Sequence, residues 1–428
     1  MSTIGELARR LESGALDGEL RNIYRPADGD VKWAAGRYQA LLDRFALLHG
    51  DAEGAELFST PGRTEIGGNH TDHQHGCVLA GSVDLDVVAV AAPNGRDRIR
   101  IESEGFPGQD VPLDNLLPNP DEYNDSRALI RGIAAKFMER GHAVGGFDAC
   151  LSSRVLKGSG LSSSAAYEVM VGTIVNHLFA AGVESPVEVA KIGRYAENVF
   201  FGKPSGLMDQ LACAVGGVQF IDLRDTDNPV IRKVDFDLRA AGYALCIIDS
   251  GADHSCMTDE YSPIPLEMGR VAAHFGKKVL REVARDEFLR DIAAIRAESG
   301  DRAVLRALHF FDDNDRVPEE ARALEEGRTD DFLTLVNASG RSSHMYLQNV
   351  FPSGTPTRQE VGVALALCGE YLRGRGAYRV HGGGFAGTVQ AFVPLDMLDA
   401  FKAGVESGLG AGCCHILNIR SAGSVRLA

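Results

Sequence analysis

The feature that most constrains this chain is a run of glycines and serines between two apolar segments, Lys157-Gly158-Ser159-Gly160-Leu161-Ser162-Ser163-Ser164-Ala165-Ala166. The segment before it, 149–156, is typical of a strand, and the apolar spacing after it predicts a helix over 165–182. Glycine permits positive φ and close approach of the backbone, and the free amides at a helix start attract anions. The stretch therefore predicts a phosphate-binding loop whose serines could also bind Mg²⁺. An ordinary turn with an N-cap has a similar composition and stays open as the alternative.

The apolar and charged fractions are ordinary for a soluble globular enzyme. A chain of 428 residues can bury a large core and is long enough for two domains or two joined lobes. Its formal charge of 44 − 59 = −15 argues against nucleic acid or an anionic membrane as the main partner. No apolar run is long enough to span a bilayer, and the charged N-terminus does not read as a signal peptide. Eight scattered cysteines without a Cys-x-x-Cys pattern favour free thiols in the cytoplasm.

Composition along the chain predicts its organisation. An N-terminal helical extension is expected over 1–24, an N-terminal domain with the phosphate loop over 25–240, and a C-terminal domain over 241–428. A further helix is predicted over 31–49. The strand predicted after it, 56–59, is expected to end at Pro61 and Gly62.

A second unusual stretch combines glycines with many polar groups, Pro61-Gly62-Arg63-Thr64-Glu65-Ile66-Gly67-Gly68-Asn69-His70-Thr71-Asp72-His73-Gln74-His75-Gly76. A polar loop between buried strands is costly unless its groups are paired or bind a ligand. Its histidines and aspartate lie close enough in sequence to suggest a metal site. The glycine-rich frame instead favours hydrogen bonding to a polyol, and a surface loop with incidental histidines remains a third interpretation.

Two more stretches carry candidate functional groups. In the turn 202–210, Asp209 starts an apolar helix, where it is either a functional carboxylate or only an N-cap. In 379–393, four glycines interrupt a pattern typical of strands. Glycines weaken a strand, so they are expected where the backbone must come close to another group, unless they form a loose turn.

The three glycine-rich stretches, in this order, resemble the GHMP kinases, which include galactokinase, homoserine kinase, mevalonate kinase and phosphomevalonate kinase. The chain is most similar to the galactokinases. Segment 61–72 resembles their signature, 158–166 the phosphate loop, 206–210 the segment with the catalytic aspartate, and 381–387 the third motif. The resemblance implies a two-lobed α+β fold with the active site between the lobes. The N-terminal lobe would be ribosomal-protein-S5-domain-2-like, and the C-terminal α/β lobe ferredoxin-like.

The resemblance also implies an ATP-dependent kinase for the anomeric hydroxyl of a galactose-configured sugar. Catalysis would fall to Asp209 and Arg63, because a carboxylate can accept the hydroxyl proton and an arginine can keep it ionised. Whether Asp209 takes a full proton or mainly positions the hydroxyl is open. The implied sugar contacts are Asn69, His70, Asp72, Gly206 and Tyr261. The implied phosphate contacts are Gly158, Ser159, Gly160, Leu161, Ser162, Ser163, Ser164, Gly383 and Gly384, with Mg²⁺ on Ser164 and Glu197.

Two departures from the galactokinase pattern bear on the sugar. Asn69 stands where galactokinases usually carry a glutamate that contacts the C6 hydroxyl, and His73 stands where they carry tyrosine. Against a glutamate at about 4 Å, a C6 carboxylate would be repelled by roughly 4 kcal/mol at a dielectric of about 20. Asparagine removes that repulsion, so galacturonate competes with galactose as the predicted substrate.

Functions other than a sugar kinase also remain open from the sequence. A non-catalytic sugar sensor and a metal-dependent hydrolase using the histidine-rich stretch are the other interpretations. The protein is expected to act as a monomer or a weak homodimer.

Overall fold

The strands form two sheets, one of eight strands and one of four, in the computed structural model, which describes residues 2–26, 29–156, 160–252, 258–354 and 356–428. The strands are β1 (Glu56–Gly67), β2 (Cys77–Pro93), β3 (Arg98–Ser103), β4 (Gln109–Pro112), β5 (Phe147–Ser153), β6 (Val218–Asp222), β7 (Val230–Val234), β8 (Tyr243–Asp249), β9 (Ala377–Val380), β10 (Thr388–Pro394), β11 (Cys414–Leu417) and β12 (Val425–Arg426). The first sheet has the order β12-β1-β2-β5-β3-β4, and β6 pairs with both β2 and β7. The second sheet has the order β11-β8-β10-β9.

Helices cover both sheets. They are α1 (Ile4–Glu12), α2 (Asp17–Tyr24), α3 (Lys32–His49), α4 (Ser126–Glu139), α5 (Ser163–Phe179), α6 (Pro186–Tyr195), α7 (Met208–Val215), α8 (Thr258–Tyr261), α9 (Pro263–His274), α10 (Arg285–Arg290), α11 (Ile292–Ser299), α12 (Asp301–Glu325), α13 (Thr329–Ser342), α14 (Glu360–Leu372) and α15 (Leu398–Leu409). A π-helical segment, Ala196–Phe201, continues α6. Within the described ranges, no helix has both the length and the apolar character needed to cross a membrane.

Strand β2 is the centre of the first lobe because both of its faces are buried. Successive side chains of a strand point to opposite faces. Val87, Ala89 and Ala91 pack on one face with α4–α7, whereas Val88, Val90 and Ala92 pack on the other with α1–α3. The helices of the predicted extension 1–24 thus share a core with α3.

Strand β1 does not end where the sequence predicts. The expectation of a strand that stops at Pro61 is wrong, because β1 runs from Glu56 to Gly67. Its pairing with β2 shifts between Pro61 and Arg63 and again between Glu65 and Gly67. Such bulges interrupt the hydrogen-bond ladder, and proline is tolerated where the ladder is interrupted. The continuation carries Arg63 on a strand of the sheet rather than on a loop.

The second lobe consists of the four-stranded antiparallel sheet and its helices. Helices α14 and α15 share a buried cluster with one face of this sheet, while Phe332 and Val336 of α13 are buried with side chains of the other face. After β11 the chain returns to the first sheet, where Arg426 of β12 pairs with Phe58 of β1. The last residues of the predicted domain 241–428 therefore lie on the first lobe.

Candidate active site

Arg63 and Asp209 form a bidentate ion pair. Arg63 Nε donates to Asp209 Oδ1 at 2.7 Å, and Nη2 donates to Oδ2 at 2.8 Å. Ser162 Oγ also donates to Asp209 Oδ2, at 2.5 Å. Asp209 is the second residue of α7, whose N-cap is Leu207, so the interpretation of Asp209 as an N-cap is wrong. Its carboxylate is held by groups from β1 and from the predicted phosphate loop 158–166, the serine loop.

These contacts keep the Asp209 carboxylate charged. Burial alone would raise its pKa, but the charge of Arg63 and the hydrogen bonds from Arg63 and Ser162 outweigh burial. The pKa of Asp209 is consequently lowered from its ordinary value. An ionised carboxylate has lone pairs free to accept a proton or hydrogen bond from a hydroxyl group.

Two hydrogen bonds from Arg63, one from its side chain and one from its backbone, connect the serine loop to β1. Arg63 Nη1 donates to the carbonyl of Gly160, and the Arg63 amide donates to the carbonyl of Leu161 at 3.1 Å. Helix α5 begins at Ser163, after Ser162, whose φ is 55°. Amides in the first turn of a helix have no partner within that helix and favour anions. Gly158 and Ser159 of the predicted phosphate loop lie outside the described residues.

The third glycine-rich stretch lies against the serine loop, as its glycines predict. A Cβ on Gly160 would be 2.9 Å from His381 Nδ1 and 3.0 Å from Thr388 Oγ1. A Cβ on Gly382 would be 3.9 Å from the Gly160 Cα. His381 Nε2 in turn accepts a hydrogen bond from the Glu65 amide of β1 at 3.2 Å. The loop between β9 and β10, residues 381–387, is the glycine loop, and it thereby joins the second lobe to both motifs of the first.

The predicted sugar contacts Asp72 and Gly206 are neighbours. A Cβ on Gly206 would be 2.0 Å from Asp72 Oδ2, so only glycine leaves room for this carboxylate. The structure brings His70 and Tyr261 to the glycine loop. His70 Nε2 donates to the carbonyl of Gly383 at 3.0 Å, and the Tyr261 hydroxyl donates to that of Gly384 at 3.0 Å. Gly383 and Gly384, implied as phosphate contacts, thus lie beside two implied sugar contacts.

Asn69 is fully buried, and protein groups bond both ends of its side-chain amide. Its Nδ2 donates to Glu65 Oε1 at 2.9 Å and to the carbonyl of Gly382 at 2.7 Å. Its Oδ1 accepts from Asn349 Nδ2 at 2.8 Å and from Ser343 Oγ at 3.1 Å. Asn69 therefore links both lobes and the glycine loop through its own hydrogen bonds.

Buried charged residues, to which the sequence assigned no role, stabilise the contact between the two lobes around Asn69. Arg379, which is fully buried, forms an ion pair with Glu65. Asp313 of α12 accepts from the backbone N–H of Asn69 at 3.0 Å and from Ser339 Oγ at 3.0 Å. The sequence shows each of them only as a charged residue, and that signal does not identify the partner.

Glu197 and Ser164, the implied Mg²⁺ ligands, present the oxygen donors that Mg²⁺ prefers. Ser164 is exposed in the first turn of α5. Glu197 is only 3% exposed. Its Oε1 accepts from Lys203 Nζ at 2.8 Å, and its Oε2 accepts from Ser205 Oγ at 2.5 Å and from Gln210 Nε2 at 3.0 Å. The oxygens of Ser164 and Glu197 suit a magnesium ion. For Glu197 to bind it, one of the hydrogen-bond donors named above must leave the carboxylate oxygen.

The histidine-rich segment 70–75, which the sequence suggested as a metal site, contains a short helical turn. Residues Asp72–Gln74 form a single 3₁₀ turn. Across the described ranges, no group of three or more histidine, cysteine, aspartate and glutamate side chains is arranged to hold a metal ion. The His70 and His73 rings are 6.0 Å apart. Burial and then the neighbouring His73 lower the pKa of His70, which favours a neutral imidazole.

Comparisons with known proteins agree with this geometry. Residues 128–217 match the GHMP kinases N terminal domain, and residues 43–93 match the galactokinase galactose-binding signature. A galactokinase from Streptomyces coelicolor is 32% identical over 376 residues, covering 86% of this chain and 92% of that protein.

Solved structures show the same fold. The crystal structure of Lactococcus lactis galactokinase complexed with galactose superimposes with a TM-score of 0.76 at 24% identity, covering 90% of this chain and 98% of that one. A mevalonate kinase structure superimposes with a TM-score of 0.59 at 14% identity, covering 85% and 99%. The two-lobed fold expected from the sequence is confirmed. The chain belongs to the galactokinase family of the GHMP kinases and is a sugar kinase.

Proposed function

We propose that this protein transfers the γ-phosphoryl group of ATP to the anomeric hydroxyl of galactose. The observation that carries the proposal is the charged Asp209 carboxylate, held by Nε and Nη2 of Arg63 at 2.7 and 2.8 Å. Three residues before it, Gly206 faces the Asp72 carboxylate. The segment 206–209 thus places Asp209, the proposed acceptor of the hydroxyl proton, near Asp72, a proposed sugar contact.

In the proposed step, the anomeric oxygen attacks the γ-phosphorus of ATP. The new bond joins that oxygen to phosphorus, and the bond between phosphorus and the β–γ bridging oxygen breaks, with its electron pair leaving on ADP. Asp209 accepts the hydroxyl proton or positions the hydroxyl for attack. Arg63 keeps Asp209 ionised and offsets negative charge on the transferred group.

The serine loop and Glu197 are the proposed nucleotide side of the site. Amides and hydroxyls of 160–164 at the start of α5 would bind the phosphates. Ser164 and Glu197 would hold Mg²⁺, which supplies positive charge to the phosphate oxygens when it is bound. The exposed position of Ser164 supports this role because an incoming ligand can reach its hydroxyl.

The surroundings of Asn69 support galactose over galacturonate. The case for a uronic acid rests on removal of the repulsion by glutamate, but binding a C6 carboxylate would also need a hydrogen-bond donor such as an asparagine N–H. Both Nδ2 hydrogens of Asn69 have acceptors within the protein, Glu65 Oε1 and the carbonyl of Gly382. A buried carboxylate without such a donor is costly.

The decisive experiment is ATP turnover with Mg²⁺ against galactose, galacturonate, glucuronate, galactosamine and arabinose. We expect turnover with galactose, and ³¹P and ¹H NMR should show the phosphate on the anomeric oxygen. Turnover with galacturonate alone would refute galactose as the substrate. Silence with every sugar, combined with a sugar-induced rise in Tm, would refute the kinase and favour the sensor.

A further inference from the structure

Lys203 occupies one oxygen of the proposed magnesium ligand. Its Nζ lies 2.8 Å from Glu197 Oε1. The Lys203 side chain is 56% exposed, whereas that of Glu197 is 3% exposed. Lys203 lies in the turn between the π-helical segment Ala196–Phe201 and α7, close in sequence to Gly206 and Asp209. A buried carboxylate is thus neutralised by a lysine that approaches it from solvent.

The other donors to Glu197 are less able to leave. Gln210 is 1% exposed and also donates to Glu168 Oε2 at 2.9 Å. Ser205 is bound at the same time to Asn198 Oδ1, at 3.1 Å. Removing a donor from a buried site leaves an unsatisfied group, which costs free energy. Lysine avoids that cost because its flexible stem can return the ammonium to water or to a nearby anion.

We propose that Lys203 is a resident cation on Glu197 Oε1 that Mg²⁺ replaces when it arrives with the nucleotide. The inference rests on the proposed function, since it takes Glu197 as the metal ligand. Without nucleotide, the lysine keeps the site neutral and makes bare metal bind weakly. With nucleotide, the phosphates offer negative charge to both the metal and the displaced ammonium. Lys203 therefore makes metal loading depend on nucleotide.

Binding of Mn²⁺ measured by electron paramagnetic resonance without nucleotide or sugar tests this exchange. We expect Lys203→Met to bind Mn²⁺ about fivefold more tightly than the wild type. This factor corresponds to the free energy of an ion pair in which one partner is exposed to solvent. Lys203→Arg, which keeps the charge, should remain weak. Lys191→Met is the matched control because Lys191 pairs with Glu188 at 2.7 Å outside the site. It should leave Mn²⁺ affinity unchanged.

A second measurement adds a non-hydrolysable ATP analogue. The gain in Mn²⁺ affinity on adding the analogue should be smaller in Lys203→Met than in the wild type. Adding Glu197→Gln to Lys203→Met should abolish the tighter binding of bare Mn²⁺. Equal Mn²⁺ affinity in Lys203→Met and wild type would overturn the inference, even if the wild type phosphorylates galactose. Failure of the proposed function would appear separately, as absent sugar phosphorylation by the wild type.

Discussion

Gly206 stands so close to Asp72 that a Cβ in its place would be 2.0 Å from Asp72 Oδ2. Any side chain at residue 206 must therefore displace the Asp72 carboxylate. We expect Gly206→Ala to lower kcat/KM for galactose about 100-fold, because a displacement of about 1 Å has effects of this size. Steady-state kinetics at saturating ATP measures it.

A glycine with free space provides the control. A Cβ on Gly269 of α9 would have nothing within 4 Å, so Gly269→Ala should keep wild-type kinetics. Unchanged galactose kinetics in Gly206→Ala would show that Asp72 does not bind the sugar.

Asp209→Asn should strongly lower kcat while leaving the affinity for galactose unchanged. The amide keeps the shape of the carboxylate but cannot accept a proton, and loss of a general base costs roughly 10²–10⁴ in kcat. Single-turnover phosphorylation gives the rate, and calorimetry gives galactose affinity. Asp399→Asn, at an exposed position of α15, should behave as wild type. A loss below about tenfold would mean that Asp209 mainly positions the hydroxyl.

Glu320 should make the protein less stable as pH rises. It is fully buried, and neither carboxyl oxygen has a hydrogen-bond partner among the described residues. Burial, and then Asp313, raises the pKa of Glu320 to about 8. This folded-state pKa exceeds the unfolded value of about 4.3. The stabilising contribution is therefore fully present below a pH of about 4.3, and the free energy of unfolding falls as the pH rises from there toward the folded-state pKa.

Urea unfolding at several pH values tests this effect. Glu320→Gln should flatten the decline in unfolding free energy by up to about 1.4 kcal/mol per pH unit across the interval between the two pKa values. Glu319→Gln, next to it but 49% exposed, should leave the slope unchanged. Parallel slopes for Glu320→Gln and wild type would contradict a protonated Glu320.

Asn69→Ala should destabilise the fold by about 2–4 kcal/mol, because several buried groups lose their partner at once. Ser343→Ala removes one of the four side-chain bonds of Asn69 and should cost less. Chemical denaturation compares the two variants. Equal costs would mean that Asn69 is not the centre of this network.

Much of the site is predictable because its motifs are local. The serine loop predicts α5, which begins at Ser163, two residues before the expected start. The dense glycines after β9 predict a close approach of the backbone, and Gly382 lies against Gly160. Asp209 at the start of α7 is likewise visible in the sequence. In each case a short stretch contains both the backbone freedom and the polar groups that its role requires.

Residue types and spacing thus determined the loops, the helix starts and the family resemblance. The resemblance also implied that Arg63 acts with Asp209, whereas only the tertiary structure decided the other contacts: Asn69 with Glu65 and Asn349, and Lys203 with Glu197. The bulges that carry β1 past Pro61 and direct Arg63 toward α7 depend on pairing with β2. The burial of Asn69 depends on two lobes packing together. Both are long-range packing effects, in which the free energy of a side chain is set by neighbours that its local sequence does not contain.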